Sequence, residues 1–259
     1  SEQIWRDITS LKRGLVLVTG VTGSGKSTTI AALINHVNRF RKTRIITLED
    51  PVEYQLPGLN QVQVRPEIDF DFSSGLRSIV RQDPDIIMVG EIRDQETCRI
   101  ALQAALTGHL VFSTVHTNDA PSSITRLQNM GTPDYLISAA VTLILAQRLA
   151  RKSCLECRVI DENITPKLLN SIGFLPEQSS RAKIYKGTGC EECSGTGYKG
   201  RMGIYEILEI DNELKAGILS NLQQTELNAI ARKNGFRTMQ DMGQDLLLSG
   251  DLSFAEYER

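Results

Sequence analysis

A glycine-rich loop between a short apolar run and a helical pattern constrains the fold of this chain more than any other feature. Residues 14–19, GLVLVT, are almost all apolar and rich in β-branched side chains, as in a strand buried on both faces. The next residues, GVTGSGKS at 20–27, match G-x-x-x-x-G-K-[ST], and STTIAALINHVNRF continues with apolar residues at helical spacing. A strand, a glycine loop and a helix in this order predict a phosphate-binding loop at one edge of a parallel sheet.

Each residue type in this loop has a chemical role in holding a nucleotide. Glycines allow successive backbone N–H groups to turn inward around phosphate oxygens, and the following helix adds its partial positive charge. Lys26 is placed to neutralise the β- and γ-phosphates, and the Ser27 hydroxyl to ligate Mg²⁺. The predicted nucleotide-binding residues are Gly20, Thr22, Gly23, Ser24, Gly25, Lys26, Ser27 and Thr28, with Ser27 also the predicted magnesium ligand.

Further apolar runs alternate with helical patterns along the first 150 residues. TRIITLED (43–50), DIIMVG (85–90) and HLVFSTVH (109–116) predict strands, and DQETCRIALQAALTG (94–108) predicts one of the intervening helices. Almost wholly apolar strands that alternate with helices indicate an α/β fold with a mostly parallel sheet covered by helices. PDYLISAAVTLILAQRLA (133–150) predicts a single further helix.

The character of the chain changes near residue 150. Residues 151–200 hold two Cys-x-x-Cys pairs among many glycines, and the tail from about residue 212 has helical patterning. We therefore predict a nucleotide-binding core at 1–150, a tetracysteine zinc module at 151–200 and a C-terminal helical segment at 201–259.

Composition narrows the class of protein. With 259 residues, 41% of them apolar, the chain is long enough for a soluble globular fold with a proper core. A net charge of −2 gives no overall basic field, so we expect no direct binding of nucleic acid. No apolar run approaches the roughly 20 residues that span a bilayer. The chain starts without Met, and we expect an upstream part of the protein to precede it.

Acidic residues follow two of the predicted strands. DIIMVG ends at Gly90, where a nucleotide-hydrolysing enzyme commonly carries the acid that holds Mg²⁺, and only Glu91 follows. Glu49, Asp50 and Glu53 lie at the end of another strand, and ligands of open parallel sheets lie beyond such carboxyl ends. We predict that Glu91 and the Asp50–Glu53 loop together place Mg²⁺ and orient the attacking water. The alternative is a turn residue before proline at Asp50 and a solvated loop charge at Glu53.

One histidine and several arginines complete the candidate catalytic set. His116 lies at the carboxyl end of its strand and can hydrogen-bond a γ-phosphate, although a lone strand-end histidine is more often structural. Arginines can stabilise charge on a transferred phosphoryl group, from the same or a neighbouring subunit. Ion pairing with local acids, such as Arg93 with Asp94 or Glu96, is the alternative. The candidate arginines are Arg77, Arg81, Arg93 and Arg126.

Two cysteine pairs predict a metal site. CLEC supplies Cys154 and Cys157, and CEEC supplies Cys190 and Cys193. Two such knuckles complete a four-thiolate structural Zn²⁺ site with no open position for catalysis. Redox chemistry by either pair is the alternative, and Cys98 is expected to be a buried helix residue.

Taken in order, the longer motifs resemble a known family. GVTGSGKSTT, TLEDPVEY, GLRSIVRQDPDIIMVGEIRDQET and TGHLVFSTVHTNDA are similar, in order and spacing, to the defining boxes of the type II secretion and type IV pilus assembly ATPases. GRMGIYEIL and NGFRTMQDMG extend the likeness to the end of the chain. The twin CxxC resembles the secretion and pilus-extension branch, because the pilus-retraction motors of the family lack that module.

The resemblance implies roles for particular residues. It implies a RecA-like fold that binds ATP with Mg²⁺, with the aspartate-box role on Glu49, Asp50 and Glu53 and the Walker-B role on Glu91. The family already has glycine before that glutamate, and its histidine box falls on His109 and His116. Family arginines that surround the phosphates or bridge subunits fall on Arg77, Arg81, Arg93, Arg126 and Arg201.

The resemblance also implies an assembly and a location. The family forms hexameric rings with ATP at or near subunit interfaces, on the cytoplasmic face of the inner membrane. An N-terminal half completes the nucleotide pocket and docks on the membrane platform protein, and we expect that half to be missing here. Hydrolysis would then drive assembly of pilins or pseudopilins. The alternatives are a motor of a related DNA- or effector-transfer system and a nucleotide-gated interaction module that hardly hydrolyses.

Overall fold

The computed structural model describes residues 8–259, and within them the main sheet has seven strands. Their spatial order is β3-β2-β4-β5-β1-β6-β9. These strands are β1 Gly14–Thr19, β2 Ile45–Glu49, β3 Asn60–Gln63, β4 Ile86–Val89, β5 Leu110–Val115, β6 Val141–Ser153 and β9 Tyr198–Glu209. A second, two-stranded sheet pairs β7 Arg158–Ile160 with β8 Tyr185–Gly187 in antiparallel register.

Helices connect most of the strands. In the first half of the chain they are α1 Lys26–Phe40, α2 Phe72–Val80, α3 Gln95–Leu106, α4 Ala120–Asn129 and α5 Asp134–Ala140. In the second half they are α6 Pro166–Ser171, α7 Pro176–Ser179, α8 Asn212–Leu219, α9 Gln224–Lys233, α10 Met239–Ser249 and α11 Phe254–Tyr257. Short 3₁₀ turns occupy Pro66–Ile68 and Glu191–Cys193.

The strands around the glycine loop run parallel, as predicted. β1 pairs with β5 and β6, β4 pairs with β5 and β2, and β2 pairs with β3, all in parallel register. β1, β2 and β5 are buried along their whole length, which explains their mostly apolar sequences. Because parallel strands end at the same edge, the loops after β1, β2, β4 and β5 emerge together there.

In the first half of the chain, three helices that follow strands begin at an aspartate. The side chains of Asp71, Asp94 and Asp119 each accept a hydrogen bond from the backbone N–H three residues further on. This N-cap satisfies one of the donors that a helix start leaves unpaired. Asp94 is therefore the N-cap residue of α3. This gives a local structural role to one of the two acids that the sequence offered as partners of Arg93.

The prediction of a single helix at 133–150 is wrong after Ala140. α5 ends at Ala140, and Val141–Ser153 forms β6, which pairs with β1 from Leu15 to Thr19. A short apolar run does not distinguish a buried strand from a buried helix by periodicity alone. Val141–Ser153 forms a strand because β1 offers it backbone hydrogen bonds. β1 lies more than a hundred positions away in the sequence, so the local pattern does not contain this information.

By internal packing the chain divides into two units. The first contains the described residues up to Gln147 together with Ile207–Phe236, and the second contains Arg148–Glu206 together with Arg237–Arg259. The second unit has its own core, made of Ala150, Leu169, Phe174, Ile184, Leu247, Leu252 and Phe254. The helices of the predicted C-terminal segment are thus shared between the units, and the functional division at 150 and 200 stays a prediction.

No helix within residues 8–259 has both the length and the hydropathy that a bilayer crossing needs.

Candidate functional site

The loop between β1 and α1 has the backbone that a phosphate cradle requires. Gly20, Gly23 and Gly25 have φ values of +146°, +80° and +89°, a region that side-chain-bearing residues rarely adopt. Gly25 is also the N-cap residue of α1, so the helix begins directly at the loop. Ser27 and Thr28 are exposed in the first turn of α1, where unpaired N–H groups and the helix dipole favour an anion.

Lys26 donates hydrogen bonds within the phosphate loop and is affected by the charges of two acids that follow other strands. Its Nζ donates to the carbonyl oxygens of Gly20, at 2.9 Å, and of Val21, at 3.2 Å. Burial lowers the pKa of Lys26, while the negative charges of Glu91 and Glu53 act in the opposite direction. Because such charge effects fall off with distance, the ends of β4 and β2 carry their carboxylates to the neighbourhood of this ammonium group.

Glu91 lies between two basic side chains. Its Oε1 pairs with the guanidinium of Arg93, its Oε2 lies 3.5 Å from Nε2 of His116, and only 13% of its side chain is exposed. The hydrogen bond with Glu91 raises the pKa of Arg93 against a smaller opposing effect of burial, so this pair is ionic. The partner of Arg93 is thus Glu91, not Asp94 or Glu96 as considered from the sequence.

Gly90 lacks a side chain for a spatial reason. Its N–H donates to the carbonyl of Leu48 on β2 at 2.7 Å. A Cβ at position 90 would lie 3.3 Å from that oxygen and 3.5 Å from the Cα of Glu49, which is tighter than an ordinary packing contact at the oxygen. A side chain at position 90 would require β2 to give way by a few tenths of an ångström.

The three acids at the end of β2 and in the loop after it differ in environment. Glu49 is buried, and its Oε1 accepts from Thr47 Oγ1 at 2.6 Å and from Gln61 Nε2 at 3.0 Å. Asp50 and Glu53 are exposed. Glu49 is therefore held within the edge of the sheet, whereas Asp50 and Glu53 are the acids with freedom to meet a ligand.

A tyrosine joins the acidic loop to the phosphate loop. The hydroxyl of Tyr54, the residue after Glu53, lies 3.0 Å from Oγ1 of Thr28 in α1. Either hydroxyl can donate. This contact limits how far Glu53 can lie from the first turn of α1.

A chain of hydroxyl groups joins the end of β1 to the segment after β5. The backbone N–H of Thr117 donates to Oγ1 of Thr19 at 3.0 Å, and the two hydroxyls lie 2.6 Å apart. The Thr117 hydroxyl also lies 2.7 Å from Oγ of Ser123 in α4. Thr19 and Ser123 are fully buried. The residue directly before the phosphate loop is thus linked to the neighbour of His116.

The remaining histidine-box and arginine candidates lie elsewhere. His109 precedes β5, and its Nδ1 lies 2.8 Å from the carbonyl oxygen of Ala104 at the end of α3. Arg77 pairs with Glu96 between α2 and α3, and both side chains are about half exposed. The other three arginines, exposed at the end of α2, in α4 and in β9, are Arg81, Arg126 and Arg201.

The four paired cysteines form one cluster in the second unit. All four Sγ atoms lie within 4.8 Å of one another. Sulfur separations are 3.8 Å for Cys154–Cys190, 3.8 Å for Cys157–Cys193 and 3.7 Å for Cys190–Cys193. Four thiolates about 2.3 Å from a tetrahedral ion would be separated by about 3.8 Å, so this set could hold a metal ion.

Backbone donors favour the thiolate form at Cys193, whereas burial raises the pKa of the neighbouring Cys190 to about 11. Burial acts to raise the pKa of Cys193, but N–H groups of Cys190 and Gly197 donate to its sulfur at 3.2 Å and bring the pKa down to about 6. The N–H of Gly189 donates to Cys157 Sγ at 3.3 Å. Metal ligation needs deprotonated sulfur, and these donors stabilise that form.

Comparison with known proteins now identifies the family. The family model described as "Type II/IV secretion system protein" matches residues 2–259. The chain belongs to the type II/IV secretion system protein family. The family and the fold class expected from the sequence are therefore confirmed.

Individual family members share much of the sequence. The chain is 46% identical over 252 residues to the type IV pilus assembly ATPase PilB of Thermus thermophilus, covering 97% of this chain and 28% of that protein. It is 44% identical over 246 residues to the type II secretion system protein HxcR of Pseudomonas aeruginosa, covering 95% and 48%. The solved structure of the pilus retraction motor PilT with bound ADP is 30% identical, with a TM-score of 0.72 over 99% of this chain and 63% of that one.

The similarity extends over only part of each relative. The chain spans about a quarter to a half of the length of the curated relatives described here. What it shares with them is the part that contains the phosphate loop, the acidic loop and the cysteine cluster.

Within this type II/IV secretion fold, the structure brings part of the predicted site together. Lys26, Glu53, Glu91 and His116 lie at one edge of the sheet, and their catalytic roles stay predictions. The contacts of Tyr54 and Thr117 were not predicted from the sequence. Their motif neighbours, Glu53 and His116, were the only available signal.

Proposed function

We propose that this chain is the ATP-hydrolysing part of a motor that assembles pilins or pseudopilins in a type IV pilus or type II secretion machine. One observation carries the proposal: the loop of Glu53 meets the start of α1, where the Tyr54 hydroxyl lies 3.0 Å from Oγ1 of Thr28, and the charges of Glu53 and Glu91 both act on the pKa of Lys26. Acids from two separate strand ends at one ammonium group suit a magnesium–triphosphate. The names of the relatives support ATP as the nucleotide.

In this proposal the glycine loop and α1 bind the triphosphate. Backbone N–H groups at Gly20–Gly25 surround phosphate oxygens, and Lys26 exchanges its contacts with the loop carbonyls for the β- and γ-phosphates. Ser27, Asp50 and Glu53 suit Mg²⁺ because they offer exposed oxygen ligands at the same edge. Bound magnesium would supply positive charge that offsets the charge on the phosphates.

Glu91 is the proposed group that orients the attacking water. Its side chain is mostly buried and pairs with Arg93, and its carboxylate oxygens can accept a hydrogen bond from the attacking water. His116 on the other carboxylate oxygen gives Glu91 a neighbour that can respond to a γ-phosphate. Arg93, which pairs with Glu91, is the proposed source of positive charge for the transition state within the chain. Arg77 and Arg126, which are exposed, are proposed to supply it to the site of a neighbouring subunit.

Zn²⁺ is the proposed occupant of the cysteine cluster, in a structural role. Four sulfurs at tetrahedral spacing leave no open coordination position, and backbone donors already stabilise thiolates. The ion would crosslink the two knuckles of the second unit.

The proposed assembly is a homo-hexamer on the cytoplasmic face of the inner membrane, with the platform protein of the machine as its partner. Support comes from family membership, and the whole-protein activity, partners and cargo are proposals because the chain spans only part of its relatives.

Steady-state phosphate release with Mg-ATP tests the enzyme proposal. We expect the wild type to release phosphate, and Lys26→Ala, Glu53→Gln and Glu91→Gln each to lower kcat/KM at least about tenfold. Glu177→Gln changes an exposed glutamate of the second unit in the same way and is expected to match the wild type. Removing Mg²⁺ with a chelator should abolish release.

Different outcomes separate the alternatives. If the wild type binds ATP but Glu91→Gln and Glu53→Gln release phosphate as it does, these acids are not catalytic. Tight ATP binding without release by the wild-type hexamer would favour a nucleotide-gated interaction module over a motor.

A further inference from the structure

The strand β6 passes directly behind the phosphate loop. Its Ala146 faces Thr19, the last residue of β1, so the next residue of β6, Gln147, lies beside the start of the loop. Gln147 is 2% exposed, as is Ser24 in the loop. A polar side chain buried this far needs specific partners to offset its desolvation.

Gln147 meets the loop at two points. Its side-chain Nε2 donates to the carbonyl oxygen of Ser24 at 2.7 Å, in a buried hydrogen bond across 123 residues of chain. Its backbone oxygen would lie 2.4 Å from a Cβ placed on Gly20. The start of the loop therefore packs on the backbone of Gln147, and its middle is bonded to the side chain.

Two buried polar atoms at this contact have no hydrogen-bond partner in the described part of the chain. They are Oε1 of Gln147 and Oγ of Ser24. A leucine or methionine would fill this space without leaving an amide oxygen unpaired. The unpaired oxygen of the Gln147 amide therefore lowers the stability of the fold. Among the described residues, the hydrogen bond that its nitrogen donates to Ser24 is the favourable contact that this amide makes.

That bond controls the direction of a neighbouring N–H. The Ser24 carbonyl and the Gly25 N–H belong to one planar trans peptide unit, in which they point in opposite directions. When Gln147 holds the carbonyl toward β6, the Gly25 N–H is directed away from β6. This N–H belongs to the loop glycine directly before Lys26.

We propose that Gln147 is a positioning residue that sets the peptide plane between Ser24 and Gly25 for phosphate binding. The proposal rests on the proposed nucleotide site. Gln147 acts on that site through Ser24, without contact of its own to the phosphates or Mg²⁺. Its effect is on affinity for the triphosphate rather than on the chemical step. The amide donor, not the volume of the side chain, is what matters.

Direct binding of a fluorescent ATP analogue, in the presence of Mg²⁺, tests this without requiring hydrolysis. Gln147→Leu removes the donor at similar volume, and we expect the Kd to rise about three- to tenfold, which corresponds to the loss of one hydrogen bond. The matched control is Gln244→Leu in the second unit, because Gln244 Nε2 also donates to a backbone carbonyl, that of Ile172, at 2.7 Å. We expect the control to keep the wild-type Kd.

Gln147→Glu supplies a second readout that a purely structural role would not change. A buried carboxyl group has a raised pKa, and only its protonated form can donate to the Ser24 carbonyl. We therefore expect the Kd of Gln147→Glu, relative to that of Gln147→Leu, to fall as the pH is lowered from about 8 to about 6. Comparison with Gln147→Leu cancels the titration of the nucleotide itself.

The outcomes distinguish this inference from the proposed function. If the wild type binds the analogue, Lys26→Ala does not, and Gln147→Leu binds as the wild type does, the positioning role is overturned and the nucleotide site stands. If the wild type and Lys26→Ala bind equally weakly, the proposed site itself fails. Equal loss of affinity in Gln147→Leu and Gln244→Leu would show a general effect of stability and would also overturn the positioning role.

Discussion

At the scale of single residues, two glycines of the phosphate loop are required for different reasons. Gly23 has φ of +80°, but nothing lies within 4 Å of the position that a Cβ would take. Gly20 has φ of +146°, and its Cβ would lie 2.4 Å from the backbone oxygen of Gln147. Gly23 therefore needs only conformational freedom, whereas Gly20 also needs the absence of a side chain.

This difference predicts unequal costs for the same substitution. Gly23→Ala should lower the free energy of unfolding by about 1–2 kcal/mol, the strain of a positive φ. Gly20→Ala should lose about 1–3 kcal/mol more, because β6 must also move. Urea denaturation of both variants measures this. Equal losses of unfolding free energy in the two variants would mean that β6 accommodates the added methyl group without strain.

At the scale of elements, the last helix is too short to be stable by itself. α11 has four residues, and its attachment depends on Glu256, whose carboxylate accepts from Arg151 Nε and Nη2 at 2.9 and 2.6 Å. Arg151 also stacks on Tyr198, with its guanidinium carbon 4.0 Å from the ring centroid. One arginine on β6 thus joins α11 and β9 within the second unit.

The stability of the second unit should depend on this arginine. Arg151→Ala removes a paired partner of a buried carboxylate, and we expect a loss of about 2–3 kcal/mol in the free energy of unfolding. Arg237→Ala is the control, because Arg237 pairs with Asp245 at 2.7 Å but both side chains are about 60% exposed. We expect it to cost at most about 1 kcal/mol. Denaturant titration of the two variants decides, and similar losses would refute the anchoring role.

The same pair predicts a pH dependence. Burial acts to raise the pKa of Glu256, but hydrogen bonds and charge from Arg151 outweigh it, so its pKa lies below the usual value. Its contribution to stability is therefore present above the unfolded-state pKa of about 4.3 and is lost as the pH falls through the lower folded-state pKa.

Comparison of the wild type with Glu256→Gln across pH isolates this contribution. We expect the difference in free energy of unfolding to be largest near neutral pH and to shrink below about pH 4.3. Urea denaturation at a series of pH values measures it. A difference that stays constant down to about pH 3 would contradict the assignment.

The elements also show how far the sequence alone could lead. β1, the glycine loop and α1 are predictable because their signals are contiguous, and the same holds for β2, β4 and β5. β6 is not, since its partner strand decides its conformation. The same limit applies to the site: Lys26 and Glu91 belong to recognisable motifs, whereas the contacts Tyr54–Thr28 and Gln147–Ser24 join separate segments through side chains that carry no local signal.

At the scale of the whole molecule, the cysteine cluster and the glycine loop belong to different units. Metal loss should therefore affect the two units differently. With a strong chelator or with Cys154→Ser, we expect bound metal to fall from about one ion per chain to none, and the melting transition of the second unit to be lowered. ATP binding by the first unit should remain.

Cys98→Ala is the matched control for that experiment. Cys98 is fully buried in α3 of the first unit, and burial raises the pKa of its thiol, so it stays protonated. We expect this variant to keep its metal. Elemental analysis and calorimetry provide the measurements. A wild-type protein without metal, or a Cys154→Ser protein that retains it, would refute the metal site.

The interleaving of the units has a consequence for synthesis on the ribosome. The unit with the glycine loop is completed only by Ile207–Phe236, which are translated after residues 148–206 of the other unit. Within that late segment α8 packs on α5. A nascent chain that has emerged only as far as Gln147 therefore holds the central strands and the phosphate loop but not the helix that covers α5. The surface of α5 that α8 covers therefore stays exposed while the cysteine-bearing segment is translated, and exposed apolar surface of this kind favours aggregation.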